Sequence, residues 1–217
     1  MNQLQFDPDL IFQWSVARSI ARKLPLPVPD FGGHRVDTYN DKERRRWIFP
    51  YVQPGLLELA RSIDHPTDFI KLCGTASELS AALTDNWVIA EPGHLMTFRG
   101  TAVQRKVPTG YMMEIGHSEQ GTEVRILNDG GELAASGYAV ETATVFVYDR
   151  IVTEPGHRRK GLGSVVMGAL RASIQRSGIT ELLVATDDGR SLYETLGWNV
   201  ISPFTTASLA QLPGLRS

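Results

Sequence analysis

The chain has 217 residues, 42% of them hydrophobic, enough for one large domain or two small ones around a buried core. A net charge of −2 excludes a protein built mainly to coat nucleic acid, which would carry a strong basic excess. The single cysteine, Cys73, excludes an internal disulfide framework and fits a reducing compartment.

No apolar run approaches the roughly 20 residues that span a bilayer, so no membrane partner is expected. The opening "MNQLQFDPDLIFQW" lacks a cationic start followed by a long apolar stretch, and the expectation is a cytoplasmic protein. Residues 9–24 set Leu10, Trp14, Ala17, Ala21 and Leu24 at helical spacing, which predicts one apolar stripe. Pro25, Pro27 and Pro29 then fix an extended connector, each ring locking its own φ and biasing its predecessor away from helix.

"KERRRW" at 42–47 is a cationic run and reads as a solvated helix face, with a phosphate-binding patch as the alternative. "PGLLELARSI" (54–63) predicts a helix opened by proline, "DFIKLCG" (68–74) a short strand, "ASELSAALTDN" (76–86) a second helix, and "WVIAEP" another strand. Cys73, inside a predicted strand, reads as a small core residue rather than a nucleophile.

From residue 111 strands dominate. "YMMEIGH" and "TEVRIL" precede "NDGGE", a tight hairpin turn, and "LAASGYAVE" returns. "ATVFVYDRIVT" (143–153) is almost continuously β-branched and aromatic, as for a strand covered on both faces. A helix follows in which Leu162, Val166, Ala169, Leu170, Ser173 and Ile174 recur at steps of three and four, with Gly178 as its stop. "TELLVAT" (180–186) reads as a strand, "RSLYETLG" (190–197) as a short helix and "WNVISPF" as the next strand. Strand, corner, helix and strand put the flanking strands in one sheet with the helix crossing over, so the class is α/β or α+β with a mixed sheet. A weak internal repeat also shows. "LLELARSI…IKLCGTASELSAALTDNWVI" resembles "MGALRASI…LLVATDDGRSLYETLGWNVI", with Trp87 and Trp198 in corresponding places.

The corner "GHRRKGLG" (156–163) holds Arg158, Arg159 and Lys160 against Gly161 and Gly163 where the helix begins. Gly156 and Gly161 have P-loop spacing, but Leu162-Gly163 follow instead of Lys-Ser/Thr. Gly161-Leu162-Gly163 begins a dinucleotide fingerprint, yet Val166 fills the third glycine position and no acidic residue is placed for a ribose. What remains is Arg158-x-x-Gly161-x-Gly163 opening a helix. Residues without Cβ let successive N–H groups point into one concavity, and the helix's unpaired first-turn N–H groups add partial positive charge. An anion of pyrophosphate size fits that description; a solvated cationic turn is the plainer alternative.

"RIVTEPGHRRKGLG", then a helix, a strand and "SLYETLGW", resembles the GCN5-related N-acetyltransferase (GNAT) family over about residues 111–201. The matching pieces are Ile151-Val152-Thr153-Glu154-Pro155 at a strand end, Arg158, Gly161 and Gly163 in the loop, and Leu192 to Trp198 in the later motif, with Trp198 for the usual Phe. The resemblance implies a mixed, mostly antiparallel sheet flanked by helices, and acetyl-CoA as co-substrate for transfer to a primary amine in a ternary complex. It also implies site residues. The backbone of Ile151, Val152 and Thr153 would pair with pantetheine, and the amides of Arg159, Lys160, Gly161, Leu162, Gly163 and Ser164 would face the pyrophosphate, with Arg158 and its neighbours near the 3′-phosphate. Thr186 stands where many members carry a cofactor-contacting Asn. Tyr193 would protonate the departing thiolate, and Asp149 or Glu141, with Glu114 behind them, would take the amine's proton.

Residues 111–217 are thus expected to be the catalytic domain. Residues 1–110 either supply the family's usual first strand and two helices in altered form or are a degenerate GNAT-like half, and the repeat favours the second. They hold no Arg-x-x-Gly-x-Gly of their own. The five histidines show neither His-x-x-x-His spacing nor cysteine pairing, so no metal is expected. The functional alternative is a non-catalytic acyl-CoA-binding regulatory module, and a homodimer is the default assembly for a soluble enzyme.

Overall fold

The computed structural model describes residues 7–101 and 105–210. Helix α1 (Asp9–Ala21) buries Ile11, Trp14, Ala17 and Ala21, the stripe read from the spacing, and ends before the proline run. The chain then pairs β1 (Val28–Asp30), β2 (Gly33–Asn40) and β3 (Glu43–Phe49) as an antiparallel meander.

Strand β3 corrects the reading of "KERRRW" as a solvated helix face. Trp47 and Phe49 are buried on one side, Arg46 and Ile48 on the other, which only a strand's period of two permits. The charges are accommodated by pairing: Arg44 with Asp68 at 2.6 Å and Arg46 with Glu43 at 2.9 Å.

Helix α2 (Pro54–Ser62) crosses over to β4 (Asp68–Cys73), which lies parallel to β3. A capping box of Thr75 and Glu78 opens α3 (Ala76–Ala82), and β5 (Trp87–Ile89) and β6 (Gly93–Phe98) follow. The second half is a meander, β7 (Tyr111–Ser118), β8 (Gly121–Asn128), β9 (Leu133–Glu141) and β10 (Val145–Thr153), then α4 (Leu162–Arg171), β11 (Thr180–Ala185) parallel to β10, α5 (Asp187–Thr195) and β12 (Trp198–Leu209). Helix α4 is shorter than the apolar spacing predicts. The Glu141 carboxylate accepts the backbone N–H groups of Gln175 and Arg176 at 2.8 and 3.0 Å, which satisfies the chain in a turn before Gly178.

Among the described residues the strands form one 12-stranded sheet, mixed and mostly antiparallel, in the order β1-β2-β3-β4-β12-β6-β11-β10-β9-β8-β7, with β5 on β12. The sheet runs through both halves of the chain. Strand β6 of the first half sits between β11 and β12 of the second, and β12 in turn pairs with β4. The two closing segments meet about a local dyad: Trp198 opposes Phe98 at one end and Leu209 opposes Trp87 at the other.

Both faces of β10 are covered. Phe146 and Tyr148 pack with α4, Tyr193 and Trp198, while Val145 and Val147 pack under α1. A third cluster, around Phe49, Leu56, Ile70 and Leu79, lies beneath α2 and α3.

His34 of β2 is 4% exposed and shares a 2.7 Å hydrogen bond with Ser15 of α1. Burial lowers its pKa to about 4 from the ordinary 6.5, because the charged ring would lose its hydration. Between these values the unfolded chain binds a proton that the folded chain refuses, so stability falls as pH drops from 6.5 towards 4. Denaturant midpoints should show His34 costing roughly 2–3 kcal/mol between about pH 7.5 and 4.5. His34→Gln should lose that slope; an unchanged slope would reject the assignment.

Candidate active site

Strands β10 and β11 pair only at Val145–Val147 with Thr180–Leu182 and then part. The divergence begins where the β9–β10 ladder is broken between Asp149 and Val152, with Arg150 in the left-handed region at φ 54°. A cavity of about 430 Å³ opens between the strands. Its walls are Tyr148, Asp149 and Ile151 of β10, Leu183–Ala185 of β11, Thr186 before α5, and Asp187, Gly189 and Tyr193 of α5. The remaining wall is Arg150 with residues of the first half and β12: Trp14 and Arg18 of α1, Arg22 at its C-cap, Lys71 of β4, Glu91–Gly93 leading into β6, and Phe204 and Thr206.

The corner lies at the end of β10. Gly161 caps α4 in the left-handed region at φ 79°, and no side chain closes the helix's N-terminus. A Cβ on Gly161 would meet nothing within 4 Å, so the concavity in front of the first turn is open. Arg159 is also left-handed, at φ 61°. The three cations differ in engagement. Arg158 Nε donates to the Thr153 carbonyl at 3.3 Å, and Lys160 Nζ donates to the Tyr111 hydroxyl at 2.9 Å. Arg159 has no ion pair among the described residues. Gly163 has a different use: a Cβ there would sit 3.1 Å from Leu192 Cδ2 and 3.6 Å from Thr153 Oγ1, so this glycine lets α4 approach α5. An uncapped helix start, a left-handed glycine and exposed cations together fit a diphosphate.

Ile151 packs into the core beneath α4, and Val152, 47% exposed, stands at the opened edge of β10 beside Thr153. Leu162, Gly163 and Ser164 are buried in the first turn of α4. Thr186 is the N-cap of α5, its hydroxyl accepting the Gly189 N–H at 3.3 Å. Tyr193 is 8% exposed and faces the cavity with no hydroxyl partner among the described residues; burial pushes its pKa up to about 12.

The carboxylates separate sharply. Burial disfavours the charge of Asp149, but two hydrogen bonds from Arg22, at 2.6 and 2.8 Å, and the charges of Arg18 and Arg150 outweigh it and hold the carboxyl below its usual range. Glu141 lies at the far end of β9, bound to the Gln175–Arg176 backbone, and does not line the cavity. Glu114 is half-exposed on β7 and pairs with Arg125 at 3.3 Å.

Sequence reasoning missed Arg18, Arg22, Lys71 and Thr206, and also Asp187, which hydrogen-bonds His94 of β6. The one available signal was the spacing of Arg18 and Arg22, which puts both on one face of α1.

A mixed sheet whose parallel pair parts beside a glycine-opened helix defines the GNAT fold. Residues 120–200 match the family model described as an acetyltransferase (GNAT) domain. The whole fold is similar to a GCN5-related N-acetyltransferase from Kribbella flavida, at 16% identity and TM-score 0.64, covering 99% of this chain and 97% of that one. It is also similar to a GNAT-family protein from Novosphingobium aromaticivorans, at 16% identity and TM-score 0.58, covering 96% and 100%. A tandem GNAT protein from the clavulanic acid biosynthesis pathway aligns at 15% identity and TM-score 0.56, covering 83% and 80%. No curated protein matches the chain in sequence.

Proposed function

We propose that the protein is an N-acyltransferase that moves an acetyl group from acetyl-CoA directly to a primary amine. The observation that carries this reading is the parted β10–β11 pair, with Tyr193 lining the gap and the open α4 N-terminus beyond the end of β10, against Leu192 of α5. The main chain of Ile151, Val152 and Thr153 would hold pantetheine as a strand holds its neighbour. The N–H groups of residues 159–164 would hold the diphosphate, with Arg158, Arg159 and Lys160 beside the 3′-phosphate and Thr186 near the thioester end. The bound thioester supplies an activated acyl group.

Tyr193, kept neutral by burial, donates its proton to the leaving sulfur. Asp149 has both oxygens engaged by Arg22, which suits it to fixing α1 across the cleft. Asp187 lines the same cavity, touches only His94 through one oxygen among the described residues, and is the better-placed carboxylate to take the amine's proton.

Residues 1–110 read as a degenerate duplicate. In support, β3–α2–β4 repeats the parallel crossover of β10–α4–β11, and the closing strands of the two halves meet about a local dyad. The first half would then have kept its sheet and become the acceptor-side wall.

Calorimetry with CoA, together with thiol release from acetyl-CoA across a panel of amines, tests the reading. Micromolar CoA binding with amine-dependent thiol release is expected. Tight CoA binding with no release for any amine would leave a regulatory binding module, and no CoA binding would end the proposal.

A further inference from the structure

We infer that the acceptor is a small amine that also carries an anionic group, carboxylate or phosphate, held between Arg18 and Lys71 inside the cavity. The inference rests on the transfer reading above and adds the substrate class.

The cleft between β10 and β11 is reached from both faces of the sheet. Tyr193 belongs to the core on the α4 face, whereas Lys71 alternates with Ile70 and Leu72 and so projects to the α1 face with Arg18. The diphosphate corner lies at the start of α4, so its anions are not the ones that reach Arg18 and Lys71.

On the α1 side Arg18, Arg22, Lys71 and Arg150 line the cavity with Asp149, Glu91 and Asp187, and Arg46 and Glu43 lie beside them. Asp149 is taken by Arg22, and Arg18 comes no nearer to it than 3.8 Å. Glu43 is taken by Arg46 at 2.9 Å, leaving Lys71 at 3.5 Å from the same oxygen and 3.4 Å from the Thr206 hydroxyl. Arg150 is turned to the Ala21 carbonyl at 2.9 Å and stacks over Tyr138.

Arg18 and Lys71 therefore meet their carboxylates only at long range, 3.8 Å to Asp149 and 3.5 Å to Glu43, each of which is held more closely by another arginine. Both side chains are largely buried, at 20% and 13% exposure. Desolvation lowers the pKa of each, that of Arg18 to about 10; Arg22 lowers Arg18 further and Arg18 and Arg22 lower Lys71, while Asp149 and Glu43 raise Arg18 and Glu43 raises Lys71 without cancelling the burial. A buried cation pair of this kind is stabilised by an incoming anion far more than an exposed one would be.

The rest of the wall completes the fit. Trp14 and Phe204, in edge contact at 5.5 Å, offer an apolar surface for a short carbon body. Asp187 opens α5, the helix that carries Tyr193, and supplies negative charge where the amine would react. A molecule with an ammonium at one end and an anion at the other matches both signs, and a cavity of about 430 Å³ suits a small metabolite.

The test compares matched acceptors with acetyl-CoA: a small amino acid against its methyl ester, and phosphoethanolamine against ethanolamine. The anionic member of at least one pair should show kcat/KM at least 30-fold higher, and which pair does so separates carboxylate from phosphate. Lys71→Met and Arg18→Gln should each shrink that ratio to below threefold, chiefly through KM, while CoA affinity and thermal midpoint stay near wild type. Calorimetric binding of the same amines to the protein without acetyl-CoA provides the second readout. Anion-selective binding lost in Lys71→Met supports the site even if no amine is turned over, which would count against the transfer reading alone. Equal turnover or equal binding of the charged and uncharged members overturns the inference and leaves the transfer reading standing. No binding of any anionic amine and no turnover overturns it as well.

Discussion

On the proposed transfer reading, Tyr193→Phe should lower the turnover of amine acetylation by about 100-fold or more while leaving CoA affinity within about twofold, because the variant removes one proton donor and little packing. The ring stays where it is, against Trp198 at 6.2 Å between centroids and over Gly189 at the start of α5. The hydroxyl has no hydrogen-bond partner among the described residues, so its loss strands no buried polar group and the fold should not weaken measurably. The effect falls on kcat rather than KM, since the proton is needed only as the carbon–sulfur bond breaks. The pH profile carries a second signature. With its pKa pushed to about 12 by burial, Tyr193 remains protonated well above pH 10, so the wild-type rate should hold on the alkaline side where an ordinary phenol would begin to ionise. Thiol-release kinetics from about pH 7 to 10, with calorimetry for CoA, check both statements. A loss below tenfold, or an alkaline decline near pH 10 that vanishes in Tyr193→Phe, would remove the tyrosine from the chemistry.

The C-terminal half could be read from the chain because its signals are local. "NDGG" fixes the β8–β9 turn through its own backbone preferences, β10 shows its two-sided burial in a run that is apolar and aromatic up to Tyr148, and the glycines around Leu162 mark where α4 opens. The first half concealed its organisation because its stabilising contacts are distant. The arginines of "KERRRW" look like a solvated face until Asp68 and Glu43 are placed beside them, and β1, β2 and β6 have too little apolar alternation to announce themselves. The same holds for the site. Arg22 and Asp149 are 127 residues apart, and Lys71 reaches the cavity only because β12 of one half lies against β4 of the other. Short-range pattern therefore marked the glycine corner where α4 opens, while the wall of the cavity that pairs β4 with β12 required the fold.

Gly161→Val should weaken CoA binding by about 10- to 100-fold, and the reason is backbone geometry rather than bulk. The residue sits at φ 79° with nothing within 4 Å of an added Cβ, so the cost to valine is the backbone conformation, which β-branched residues essentially avoid. That strain is on the order of 1–3 kcal/mol, which the loop can relieve by rotating φ to negative values. Rotation turns the N–H groups of Gly161, Leu162 and Gly163 out of their common concavity, and the relieved strain reappears as lost affinity for the diphosphate. Gly161→Asn is the informative companion. Asparagine tolerates the left-handed region, so it should keep most of the affinity despite being as large as many residues that fail. Gly163→Ala separates the second glycine from the first: its Cβ would press on Leu192 Cδ2 at 3.1 Å, so it should lower the thermal midpoint by a few degrees and disturb binding only through the α4–α5 contact. Calorimetry of CoA with the three variants, beside their melting curves, distinguishes these outcomes. If Val, Asn and wild type bind CoA alike, the anion is held elsewhere, and the main-chain amides of this bend have no part in recognising it.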